Sequence, residues 1–149
     1  MSPSTPPFPD FPEHPLNSPF AWLLIRVIGG LSFAYGHGLP KAQNGAVKLA
    51  NGLAADGWPL PHVFAWCATL AELVGGVLVA IGLLTRPAAA AAAFTMFVAL
   101  YQHRNDGFAQ MEKALLFAAI FVAATLAGSG RLGLDAKVKL PGILGRLQR

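Results

Sequence analysis

Glu72 is an acid in the middle of a stretch with almost no other polarity. His62–Arg86 reads HVFAWCATLAELVGGVLVAIGLLTR, and between Val63 and Leu84 nearly every position is apolar or small. A carboxylate near the centre of a bilayer costs roughly 2.5–3.5 kcal/mol on insertion scales. The chain must give Glu72 a partner or a task. An earlier segment offers Arg26, His37 and Lys41. With Gly30 and Phe33 they are spaced 4, 3, 4 and 4 apart, which puts all five on one helical face. A later segment opens with Glu112-Lys113. Arg26, His37, Lys41, Glu72, Glu112 and Lys113 together make the candidate intramembrane polar site.

Two chemistries are open to this group. The simpler is a buried ion pair between Arg26 and Glu72. Counting from opposite membrane faces, Arg26 lies about 9 Å in and Glu72 about 15 Å in, a depth difference of about 6 Å across a ~30 Å core. An arginine side chain can reach that far. The alternative is a polar pocket or relay in which Glu72, Arg26 and His37 bind a ligand or move a proton. His37, His62 and His103 are expected near one interfacial level, where imidazoles could hold a metal or a quinone headgroup. Their spacing carries no metal signature, so no metal ligand is assigned. Glu112 in a first helical turn would favour the positive end of the dipole, and Lys113 could snorkel. Cys67, the single cysteine, reads as a small buried hydrophobe. There is no GxSxG, P-loop, GxGxxG or haem-attachment pattern, so no residue is assigned as catalytic and no resident cofactor is evident; quinone stays open.

The elements that must position these residues are membrane spans. The chain has 149 residues, 54% hydrophobic and 12% charged, against about 25% charged in a soluble domain. The expected class is an all-α membrane protein: a bundle of four transmembrane helices with a short interfacial helix between the first two. Residues 1–19 hold seven prolines and no Lys or Arg, which favours an extended, disordered arm. It lacks the basic start of a secretory signal, so the first span is expected to be retained. The transmembrane domain covers 20–128, with spans at about 20–39, 63–84, 87–103 and 111–127. Gly30, Ala34 and Gly38 form a small-xxx-small row where another helix can approach closely. Ala42–Ala55 is expected to be interfacial or re-entrant. Six alanines at Ala88–Ala93 suggest that the third span packs against other helices.

Residues 129–149 form a basic tail, in which Leu140, Ile143, Leu144 and Leu147 permit an interfacial helix. Four spans put both termini on one side. Arg86, Arg131, Lys137, Lys139, Arg146 and Arg149 would share that side, against Lys41, Lys48 and Arg104 opposite, with Lys113 at the boundary. The bias favours cytoplasmic termini. The net charge of +4 is scattered or in the tail, as topology signals and contacts to anionic lipid, and does not form a nucleic-acid face.

Several segments together resemble the DoxX family of small bacterial membrane proteins. They are RVIGGLSFAYGHGLPK (Arg26–Lys41), ELVGGVLVAIGLLTRPAA (Glu72–Ala89), EKALLFAA (Glu112–Ala119) and AGSGRLGLD (Ala127–Asp135). The resemblance implies a four-helix bundle in the bacterial cytoplasmic (inner) membrane. It carries over the family's polar positions at Arg26, His37, Lys41, Glu72 and Glu112-Lys113. The family's closing motif, G-x-G-x-x-S-L-D, is matched at Gly128, Gly130, Leu134 and Asp135, but Gly133 replaces the serine.

Some members are subunits of a thiosulfate:quinone oxidoreductase, others are membrane partners of detoxifying or redox enzymes, and eukaryotic relatives act as cargo receptors. The resemblance therefore implies an accessory or anchoring subunit of a membrane-associated redox system. Alternatives are a quinone-linked oxidoreductase subunit and a small-solute transporter. The partners expected are the lipid bilayer, a soluble or membrane redox enzyme, and further copies of the chain.

Overall fold

The structure, a computed structural model, describes residues 19–148. The arm up to Ser18 and the final Arg149 lie outside the described residues. Among the described residues every regular element is helical. Helix α1 is Pro19–Phe33, α2 Ala46–Ala55, α3 Pro61–Ile81, α4 Thr85–Gln102, α5 Phe108–Ala127 and α6 Gly142–Leu147. Pro19, assigned to the arm from sequence, is instead the first residue of α1, where a missing N–H is harmless.

The first helix does not stop at Leu39. It runs through Pro19–Ala55 as 37 continuous helical residues. Two π-helical turns, Ala34–Gly38 and Lys41–Gly45, join α1 to α2 around Pro40. Proline has no N–H to donate, and its ring clashes with the carbonyl four residues back. The wider i→i−5 bonds, Leu39 N–H to Ala34 and Ala46 N–H to Lys41, make room for it. The expected interfacial helix is thus a continuation of the first helix. Its Ala50 and Leu53 pack on Ala65 of α3, with Leu49 and Trp58 alongside.

Among the described residues three helices are long and apolar enough to cross a membrane: Pro19–Ala55, α3 and α5. Helix α4, with Arg86 and Pro87 near its start and Gln102 at its end, is not one of them. It buries Ala88, Ala89, Ala92, Ala93 and Met96 in the main core with Phe33 and Phe121. The alanine run thus packs against other helices, as its composition suggests. Phe33 joins the first helix to α5, its ring centroid 4.6 Å from that of Phe121 and 5.1 Å from that of Phe117.

The small-residue row does what its spacing implies. A Cβ built on Gly30 would lie 2.5 Å from the Gly76 carbonyl oxygen and 2.8 Å from the Ala80 nitrogen. One built on Gly76 would lie 2.7 Å from the Gly30 carbonyl and 3.0 Å from the Ala34 Cβ. Gly38 likewise abuts the Leu73 backbone. Backbone cannot rotate out of the way as a side chain can. Gly76→Val should therefore destabilise the bundle by about 2 kcal/mol or more. Gly36→Ala, in a π-helical turn with open space around it, should be neutral. Equal melting temperatures for the two variants in detergent would show that the helices are not in this close contact.

Candidate functional site

Glu72 finds its counter-ion in Lys41, not in Arg26. Lys41 Nζ donates to Glu72 Oε1 at 2.5 Å, and the Glu72 side chain is 1% exposed. Arg26 lies two turns further along α3, where its Nη1 donates to the carbonyls of Val79 and Ala80 at 2.6 Å each. The expected Arg26–Glu72 pair is therefore not formed. The antiparallel register puts Arg26 beside residue 80, about 12 Å along the axis from residue 72. The continuous first helix delivers Lys41 instead.

Arg26 belongs to a second cluster at the opposite end of α3. Val79 and Ala80 sit in the last turn of α3, at the negative end of the dipole, and the Val79 carbonyl also accepts the capping N–H of Gly82 at 3.2 Å. The buried guanidinium serves those carbonyls; its Nε has no partner among the described residues. Gly82, at φ +76, turns the chain against Arg26. One residue beyond Leu83 the start of α4 needs an acceptor, and Asp135 supplies it. Its Oδ1 accepts from Leu84 N–H at 2.8 Å, while Oδ2 accepts from Thr85 N–H at 2.9 Å and Thr85 Oγ1 at 2.8 Å.

Leu84 is held at φ 48, a conformation that costs of order 1–3 kcal/mol and persists only where neighbours enforce it. The Asp135 carboxylate is that enforcement. Its motif was visible in the sequence, but its role required knowing that the tail folds back 50 residues. Gly133 lies against Ser129; the Ser129 side chain fills the space a Cβ at 133 would need.

The remaining candidates separate. His37 is half-buried between Phe33 and Phe117, at centroid distances of 5.6 and 5.3 Å. Glu112 and Lys113 are exposed. Because α5 begins at Phe108, Glu112 falls beyond the first turn, so the expected dipole role does not apply. His62 is exposed, His103 pairs with Asp106 at 2.7 Å, and among the described residues no three His, Cys, Asp or Glu side chains could share a metal. Cys67, expected to be buried, is exposed.

Sequence reasoning missed the cavity beside the Lys41–Glu72 pair. It encloses about 210 Å³ between α2, α3 and α4. Its apolar walls include Leu53, Trp58, Phe64, Phe94 and Val98, and its polar groups include Lys41, Glu72, Thr95 and Gln102. Phe64, Cys67, Ala68, Ala71 and Glu72 line it at helical spacing along α3, a signal present in the sequence but hidden among other apolar residues. Glu72 Oε2 is buried and has no hydrogen-bond partner among the described residues. An apolar pocket with a few convergent polar groups is the usual form of a small-molecule site.

Among its described residues the molecule is thus all-helical, with three helices fit to cross a membrane and a polar pair in the lining of an apolar cavity. The chain belongs to the DoxX family, whose model matches residues 21–104. It is 35% identical over 119 residues to a Bacillus subtilis (strain 168) protein bearing the name "Putative oxidoreductase CatD", covering 76% of this chain and 83% of that relative. No solved structure matches it.

Two stability outcomes follow from the site. Lys41→Met strands a buried carboxylate and should cost on the order of 3 kcal/mol, while Lys41→Met combined with Glu72→Leu should recover most of that loss. A double variant no more stable than Lys41→Met would show that the pair is not coupled. Asp135→Ala should cost about 1–3 kcal/mol by orphaning the Leu84 and Thr85 N–H groups. Hydrogen exchange at those two amides should accelerate; unchanged protection would remove Asp135 from this role.

Proposed function

We propose that this chain is an integral membrane protein that crosses the bacterial cytoplasmic membrane four times, with both termini cytoplasmic. Its role is that of an accessory or anchoring subunit of a membrane-associated redox system. The observation that carries this reading is the cavity, whose apolar walls include the outward-facing Phe64 and Phe94 and whose lining includes the Lys41–Glu72 pair. Such a site holds a lipophilic molecule at the edge of the bilayer, within reach of a partner enzyme. The name of the Bacillus relative supports the redox setting.

A fourth crossing by α4 is supported by its 18 residues, about 27 Å of helix, and by Phe94 and Phe97, which face outward from its alanine face. Such a short span is tolerable because most of its alanines pack on α3 and α5.

The same cavity favours a second reading, a quinone-linked subunit of the thiosulfate:quinone type. The residues fit a quinone headgroup. Lys41 has N–H groups beyond the one given to Glu72, and Trp58, Phe64 and Phe94 offer ring faces and edges. Bound quinone would supply a two-electron acceptor that diffuses in the membrane. Lys41 would orient its carbonyl, and the apolar walls would exclude water.

Membrane vesicles from cells with and without the chain separate these readings. As an anchor, its removal should release a redox enzyme from the membrane fraction, and Glu72→Gln should leave that attachment intact. As a quinone subunit, Glu72→Gln should lower the quinone-linked rate at least tenfold, while Lys137→Ala in the tail retains it. If removing the chain changes neither attachment nor rate, both readings fail, and proton-coupled solute uptake in liposomes would favour transport.

A further inference from the structure

We infer that the cavity beside Glu72 binds an aryl hydroxyl, a phenol-like ring whose O–H donates to Glu72 Oε2. The inference deepens the quinone-linked reading and rests on it only in placing the ligand in this cavity. Glu72 has two oxygens and the protein satisfies one. Oε1 takes the Lys41 ammonium at 2.5 Å, whereas Oε2 is buried without a partner among the described residues. A buried acceptor left unpaired is costly, and native structures rarely tolerate one without a ligand or water to serve it. The missing group must be a hydrogen-bond donor.

The walls define the rest of the ligand. At about 210 Å³ the cavity is below the ~300–1,000 Å³ typical of drug-sized ligands, so it suits one ring. Trp58 and Phe64 meet edge to face, with centroids 5.5 Å apart, and Phe94 lies on the same wall system from α4. Aromatic edges and faces favour another aromatic ring over an aliphatic chain. Phe94 is 62% exposed, so the mouth opens toward the outer surface of the bundle. A lipophilic molecule would enter sideways from the bilayer.

The polar pair then discriminates by chemistry. An aryl hydroxyl donates to Glu72 Oε2 and accepts a spare N–H from Lys41, so each polar group is served. A quinone carbonyl can only accept. It would satisfy Lys41 and leave Oε2 orphaned. The site therefore prefers the hydroxyl form of a ring to its carbonyl form. Two sources share this chemistry: the reduced headgroup of a membrane quinol, or a free small phenol dissolved in the bilayer.

The test uses the full chain in lipid nanodiscs, titrated with 4-(trifluoromethyl)phenol and its methyl ether and read by fluorine NMR. The phenol should bind saturably and at least tenfold more tightly than the ether. Glu72→Gln, which places an amide where Oε2 stood, should weaken phenol binding at least tenfold. Ala68→Phe, which fills the cavity, should abolish it. Decylubiquinol and decylubiquinone then identify the source. Displacement of the phenol by the quinol, and less so by the quinone, assigns the membrane carrier; displacement by neither assigns a free phenol.

Equal binding of phenol and ether, no saturable binding, or displacement by the quinone at least as strong as by the quinol would each overturn the inference. Loss of donor preference with a quinone-linked rate still sensitive to Ala68→Phe would remove only this inference. Selective phenol binding without any quinone-linked rate would remove the redox reading and keep it.

Discussion

The first helix and α3 touch backbone to backbone, and the placing of Arg26 and Lys41 along α3 depends on that contact. Gly30, Ala34 and Gly38 leave no side-chain layer between the first helix and Leu73, Gly76 and Ala80. Two helices so close admit only one register, because any slide drives a Cβ into a carbonyl. That register puts Arg26 at the C-terminal end of α3 and Lys41 beside Glu72. Neither polar contact could set the alignment by itself. Long, flexible cationic side chains reach several turns, whereas glycine contacts fail within an ångström.

The same register organises the end of the bundle remote from the cavity. The turn between α3 and α4 brings together the carbonyl end of one helix and the amide end of the next. These carry partial charges of opposite sign, and each receives its complement: Arg26 on the carbonyls and Asp135 on the amides. Arg86 repeats the logic on α5, donating to the Thr125 carbonyl, and Trp22 Nε1 donates to Gly128. Four helices are thereby tied at one end, which leaves the other end, around Pro40 and the cavity, with fewer such ties.

Much of this fold was legible in the sequence. The helical class, the small-residue row and the inward packing of the alanine run all follow from periodicity and residue size. What misled was ending the first span at about Leu39, just before Pro40. A proline usually ends a helix, but the flanking π-helical turns absorb it, and the helix carries Lys41 onward to Glu72. Counting depth from presumed membrane faces then paired Glu72 with the wrong cation. Partners separated by 31, 50 and 53 residues have no local signature. Asp135 stood in a visible motif, yet only the returning tail shows that it caps α4. The cavity was hidden for a related reason. Its walls come from three helices, and no single stretch of chain shows an empty space.

Glu72 is better explained by what it leaves unbonded than by its ion pair. If its only purpose were to join the first helix to α3, an apolar pair of similar volume would do so at least as well, since buried ion pairs seldom add net stability over such replacements. The glycine contacts already hold the two helices together without it. A purely structural acid would also be expected to use both oxygens, because each unpaired one detracts from the fold. Here Lys41 takes one oxygen, and the other remains free in a residue that forms part of a cavity wall. The pair keeps a charged acceptor oriented beside the apolar cavity at a cost to stability.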